Sequence, residues 1–227
     1  MAVFIGQESG TPVPLDSLRN LATNISFPVD ELTNASDWSE VLTSISYEVV
    51  TITNAESDVT PAWNQNVALS LSTRVSGSLQ AAYAAVAMTT DEAAERLIAL
   101  KEEALDETNA NSDAIMKDAK DFATSSATGA ATLSLVYDEQ TLGYIAQVLQ
   151  AAQNANTGAT IQDATGTNQT LSLNELKYLC ASMIETQQDL IEEANTCKIT
   201  VKAATTGTAV TTARTTFTTS NPPPSTS

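Results

Sequence analysis

The chain has 227 residues, a formal net charge of −17, 42% hydrophobic residues and only 5% aromatics, which suits one or two domains of ordinary size. An acidic balance of this strength argues against binding DNA or RNA, whose phosphates it repels. Histidine is absent, which removes Ser-His-Asp and Cys-His catalysis and histidine-liganded zinc together.

The first 88 residues mix short signals and read as a small β-rich attachment module. Leu15 to Leu21 follows Pro12 and Pro14 as a short helix. Ile25-Ser26-Phe27-Pro28 is extended, because the residue before a proline is pushed out of the α region. Asp37 caps a short helix carrying Trp38, Val41, Leu42 and Ile45. Tyr47 to Thr53 is rich in β-branched residues and predicts a strand. Val67, Leu69, Leu71 and Thr73 alternate with small or polar residues, the period of a strand with one buried face. Leu79 to Met88, LQAAYAAVAM, suits helix by its alanines and strand by its alternation; the strand reading is adopted.

Residues 89–204 predict a helical domain, antiparallel or coiled-coil-like, with three helices and an inserted β-hairpin, so that the fold class is α+β. Thr89 and Glu92 have the spacing of a capping box. Beyond it Leu97, Ile98, Ala104, Leu105, Ile115, Met116, Ala119 and Phe122 form one stripe. The polar stretch Asp106 to Ser112 either interrupts this helix or lies exposed. Ser125 to Thr132 is a loop of small residues, and Leu133 to Tyr137 a short extended element. A second helix spans Glu139 to Ala155 and buries Leu142, Ile145, Ala146, Leu149 and Ala152.

Residues 159–171 predict the hairpin, with Gly166 in its turn. Ser172 and Glu175 form a second capping box, opening a long helix to about Ala204. Its packing seam is Leu173, Leu176, Cys180, Met183, Gln187, Leu190, Ala194, Cys197 and Val201, with Leu179, Ile184 and Ile191 widening it. Alternating steps of three and four are coiled-coil spacing, with one polar position at Gln187. A helical pair within one subunit and self-association between subunits both satisfy that pattern. Residues 205–227 are dominated by threonine, serine and proline and predict a disordered or extended arm, which Phe217 anchors to a neighbour in an assembly.

No phosphate-binding glycine loop occurs. Paired carboxylates such as Glu102-Glu103 and Glu192-Glu193 fall on predicted polar helix faces, with no sign of a shared pocket. Asp163-Ala164-Thr165-Gly166 lacks the later acidic ligands of a calcium loop and reads as a turn. Cys180 and Cys197 lie roughly 25 Å apart along one helix, too far for a disulfide, and read as small buried residues. The expectation is a structural or interaction protein rather than an enzyme, with no catalytic, cofactor or metal residues. No run reaches the roughly 18 apolar residues of a membrane span. MAVFIGQESG lacks the basic and apolar segments of a secretory signal.

From Thr160 the chain reads TIQDATGTNQTLSLNELKYLC, and from Lys198 it reads KITVKAATT. A hairpin with a D-A-x-G-like turn, a T-L-capped start and a long helix ending near K-x-x-I-x-A-A-T resembles a C-terminal domain of unknown function. That domain is common in tailed-bacteriophage tail and tail-fibre-associated proteins. Val201 stands where the family has isoleucine. Ile25 to Pro28 is similar to the family's S-F-P segment, and Thr90 to Lys101 resembles its first helix. The resemblance implies a virion component of the tail or fibre, made in the host cytoplasm, that packs against copies of itself and other phage proteins. A tail-fibre assembly chaperone and a capsid decoration protein are the alternatives. The family has no established enzymatic residues, so none are carried over.

Overall fold

The computed structural model describes residues 3–17 and 39–224. Its content is α+β, 50% helix and 22% strand, with an N-terminal sheet followed by C-terminal helices. The chain divides into two compact units, Met1–Ala94 and Glu95–Ser227, the boundary falling in the opening turns of a helix rather than at Met88. The readings placed on Ile25 to Pro28, Asp37 and Trp38 lie outside the described residues, as does the end of the helix expected after Leu15. A 3-10 turn occupies Leu15–Ser17.

In the first unit, a five-stranded sheet runs in the order β2-β1-β3-β6-β5. Its strands are β1 (Phe4–Gly6), β2 (Val13–Pro14), β3 (Glu48–Ile52), β5 (Thr73–Val75) and β6 (Ser78–Ala81). In this sheet β3 and β6 pair in parallel, and the other described pairs are antiparallel. A second ladder joins β4 (Gln65–Leu69) to β7 (Tyr83–Ala87). LQAAYAAVAM is therefore strand, broken at Ala82, where the chain leaves one sheet for the other. Asn54 secures that change of partner, accepting from the Tyr83 amide at 2.7 Å and donating to its carbonyl at 3.0 Å. Leu71 falls between β4 and β5 and is exposed, so the alternation predicted through it ends at Leu69.

Among the described residues, the apolar interior of this unit consists of two small clusters. Helix α1 (Ser39–Ser44) contributes Leu42, which packs with Ile5. A second cluster gathers Val50, Leu79 and Ala81.

The second unit is built on helices. After the Thr89 capping box, closed in both directions by Glu92, α2 runs unbroken over Thr90–Lys117. The polar stretch from Asp106 does not interrupt it. Thr108 and Ser112 are buried there, their hydroxyls donating to the carbonyls of Ala104 and Thr108 at 2.7 and 2.8 Å. A hydroxyl satisfied by its own backbone costs little to bury, so these residues act as small core residues. Ile98 and Ala119 are exposed, contrary to the predicted stripe, and Phe122 belongs to strand β8 (Lys120–Ala123) instead. That strand pairs with β9 (Thr132–Leu135) across the small-residue loop.

Helix α3 covers Glu139–Ala155, the predicted span, opened by an Asp138 side chain that accepts from Thr141. It buries Leu142, Ile145 and Ala152, while Ala146 is exposed. Strands β10 (Ala159–Gln162) and β11 (Asn168–Leu171) form the hairpin, with Gly166 at φ +85 in its turn. Gly158 starts it without a side chain because a Cβ there would run into the Leu171 carbonyl. The Ser172–Glu175 capping box then opens α4 (Leu173–Ala203), 31 residues long.

The expected arm is instead a fourth helix of this unit. Residues Gly207–Ser220 form α5, capped by Thr206 and lying against α4 in the same chain. Gly207, Val210, Ala213 and Phe217 are its buried residues, spaced three and four apart. Threonine is a modest helix former. Here tertiary burial of that stripe outweighs propensity, and Thr211, Thr212, Thr216 and Thr218 each donate a hydroxyl to the carbonyl one turn back. Helix α4 runs antiparallel to both α2 and α5: Lys101 reaches the Lys202 carbonyl and Thr108 meets Cys197, while Asn221 reaches Glu193.

Candidate interaction surface

The predicted seam of α4 faces its own chain. Leu176, Cys180, Met183, Leu190, Ala194, Cys197 and Val201 are buried, and Leu173 and Gln187 are half-buried. They share one apolar cluster with Leu142 and Ile145 of α3, Phe122 of β8, and Val210 and Phe217 of α5. Gln187 donates to the Tyr137 carbonyl at 3.0 Å, which explains a polar residue in an otherwise apolar row. Tyr137 stacks edge-on against Phe122 with ring centroids 5.8 Å apart. Burial, and then the negative charge of Asp118, push its hydroxyl pKa up. Both cysteines are free and buried, and desolvation raises the Cys180 thiol, leaving it a packing residue.

Ile184 and Ile191 do not widen that seam. Each follows a seam residue by one position, which turns it about 100° around the helix. They are 41% and 43% exposed, and Ile199 is 68% exposed. On the same face stand Lys177, Ala181, Gln188, Asn195, Lys198 and Lys202, none of them buried. The helix therefore carries two apolar rows, one consumed by its own fold and one turned outward between lysines. The sequence reading counted Ile184 and Ile191 with the seam and left Ile199 out; an angular count from Met183 would have separated the two rows.

A groove of about 850 Å³ lies between α4 and α5. Its walls are threonines whose hydroxyls are already engaged: Thr196, Thr200, Thr212 and Thr216 each donate to a carbonyl four residues back at 2.9 Å. Ala209, Ala213 and Phe217 also line it, and Asp189, Glu192 and Glu193 stand along it.

Among the described residues, no group of three or more Cys, Asp or Glu side chains is placed to hold a metal ion. No described helix is long and apolar enough to cross a membrane. No family model matches the chain, and no curated protein or solved structure is found to be similar to it.

Proposed function

We propose that this chain is a structural protein of a tailed-phage particle, associated with the tail or fibre and acting through protein–protein packing. The observation that carries the reading is the second apolar row of α4, Ile184, Ile191 and Ile199, held outward on a helix whose inner face is already filled. A long rigid helix with a spare apolar face is a means of joining to other chains, and contiguous exposed apolar surface marks interaction sites. The order of hairpin, capped start and long helix from Thr160 to Thr206, which resembles the phage tail domain, supplies the context. The acidic, aromatic-poor composition agrees with a particle part made of repeated contacts.

Quantitative mass spectrometry of purified particles tests this, with copy number scaled to the major capsid protein. A low, fixed copy number that follows the tail fraction is the expected result. Absence from particles, with abundance in the infected lysate, identifies an assembly chaperone instead. A copy number near that of the capsid protein identifies a decoration protein.

A further inference from the structure

We propose that the lysine-flanked isoleucine face of α4 docks on the acidic Ile98 face of α2 in a second copy of this chain. The inference rests on the structural role above and names the surface through which copies join. Two exposed faces of the second unit carry apolar residues with unpaired charges of opposite sign. On α4, Ile184 and Ile191 are seven residues apart, with Lys177 seven before the first and Lys198 seven after the second. On α2, Ile98 is 58% exposed, and half-buried Leu105 follows it by seven. Glu95 and Glu102 flank Ile98, and Asp113 lies two turns beyond Leu105; all three carboxylates are exposed.

Among the described residues the salt bridges are made by Arg74 and Arg214 alone, with Glu8, Glu48, Glu103 and Glu107 as partners. Lys177, Lys198 and Lys202 thus have no carboxylate partner, and neither Glu95, Glu102 nor Asp113 has a cation. In a chain of net charge −17 with only ten basic residues, three unpaired lysines on the Ile184–Ile191 face are a local reversal of sign, with exposed Glu185 and Glu192 at its edge. Among the described residues the exposed isoleucines are Ile98 of α2 and Ile184, Ile191 and Ile199 of α4, so the α2 face matches that row in both apolar content and charge. The shared spacing of seven sets Ile98 and Leu105 against Ile184 and Ile191. Glu95 then falls about one turn from one lysine end and Asp113 at the other. Packing of this kind aligns apolar rows and uses flanking charges to select the partner.

The test is the mass of the purified full chain by analytical ultracentrifugation, between about 1 and 100 µM and at two salt concentrations. The expected result is an oligomer at low salt whose association weakens about tenfold in high salt, the scale of a few exposed ion pairs. The double variant Ile184→Ser/Ile191→Ser is expected to be a monomer with an unchanged circular dichroism spectrum and melting temperature. Lys177→Glu/Lys198→Glu is expected to be a monomer as well, and adding Glu95→Lys/Asp113→Lys is expected to restore association. A wild-type monomer throughout overturns the contact, as does an oligomer indifferent to these substitutions. Presence in purified particles is scored separately: a monomer found in particles sinks this contact and leaves the structural role. An oligomer absent from particles does the reverse.

Discussion

Gln187 shows how a single polar side chain is accommodated in a packing row. Its amide supplies the donor for the Tyr137 carbonyl, so Gln187→Leu leaves that buried carbonyl unpaired while adding apolar volume. The expected cost is about 1–3 kcal/mol of unfolding free energy, read by urea denaturation. Four carboxylates work in the same local way. Glu92 is held below the ordinary carboxylate range by the Thr89 backbone amide, Asp138 by the Thr141 amide, Asp163 by the Thr165 hydroxyl and Glu175 by the Ser172 side chain. A depressed folded-state pKa stabilises above the unfolded value, about 4, and that stabilisation disappears as pH falls through the folded value. Stability is therefore expected to decline on acidification below about pH 4, with NMR titration midpoints of these four groups below those of carboxylates that accept no hydrogen bond. Glu92, Glu175 and Asp163 were legible in the sequence as caps or a turn, because each is completed within four residues; the Asp138 cap was not read, although its span is as short.

At the scale of elements, α5 gives the clearest contrast between propensity and packing. A threonine-rich stretch has little reason to be helical alone, yet Phe217 and Val210 are buried in the same cluster as α4. Phe217→Ala is expected to destabilise the protein by about 3–5 kcal/mol and to lose helical signal, measured by thermal and urea unfolding. An unchanged melting curve would return the segment to the status of a loose arm. On α4, Leu190→Asp places a charge in the shared cluster and is expected to abolish cooperative folding. Gly158→Ala forces a methyl onto the Leu171 carbonyl; loss of the β10–β11 amide protection in hydrogen exchange is the expected readout. The hairpin and its turn were readable from Asp163 to Gly166, whereas β8 was not. Its residues, Lys-Asp-Phe-Ala, lack any alternation that would set them apart from the end of the preceding helix.

For the molecule as a whole, the two units keep separate cores. The large cluster is drawn from Ala104 to Phe217, and the two small ones from residues before Val86. A fragment of residues 89–224, which keeps the Thr89 cap, is expected to fold by itself, with a helical spectrum and one cooperative urea transition. Failure to fold would mean that the first unit supplies stability to the second. The charge pattern belongs to this scale too. Among the described residues the salt bridges are few and exposed, so salt is expected to affect association between copies more than folding of one copy.

What the amino-acid order determined by itself is local: the α+β class, both capping boxes, the bounds of α3 and α4, and the hairpin between them. Each depends on groups a few residues apart or on a period repeated along one element. Which face of each helix became interior was decided only by the tertiary structure. Ile184 is as apolar as any seam residue, and Thr108 far less so, yet the isoleucine is left in water and the threonine buried. Burial is a property of neighbours brought from distant positions, and a helix that carries two apolar rows does not specify which one its own chain will cover.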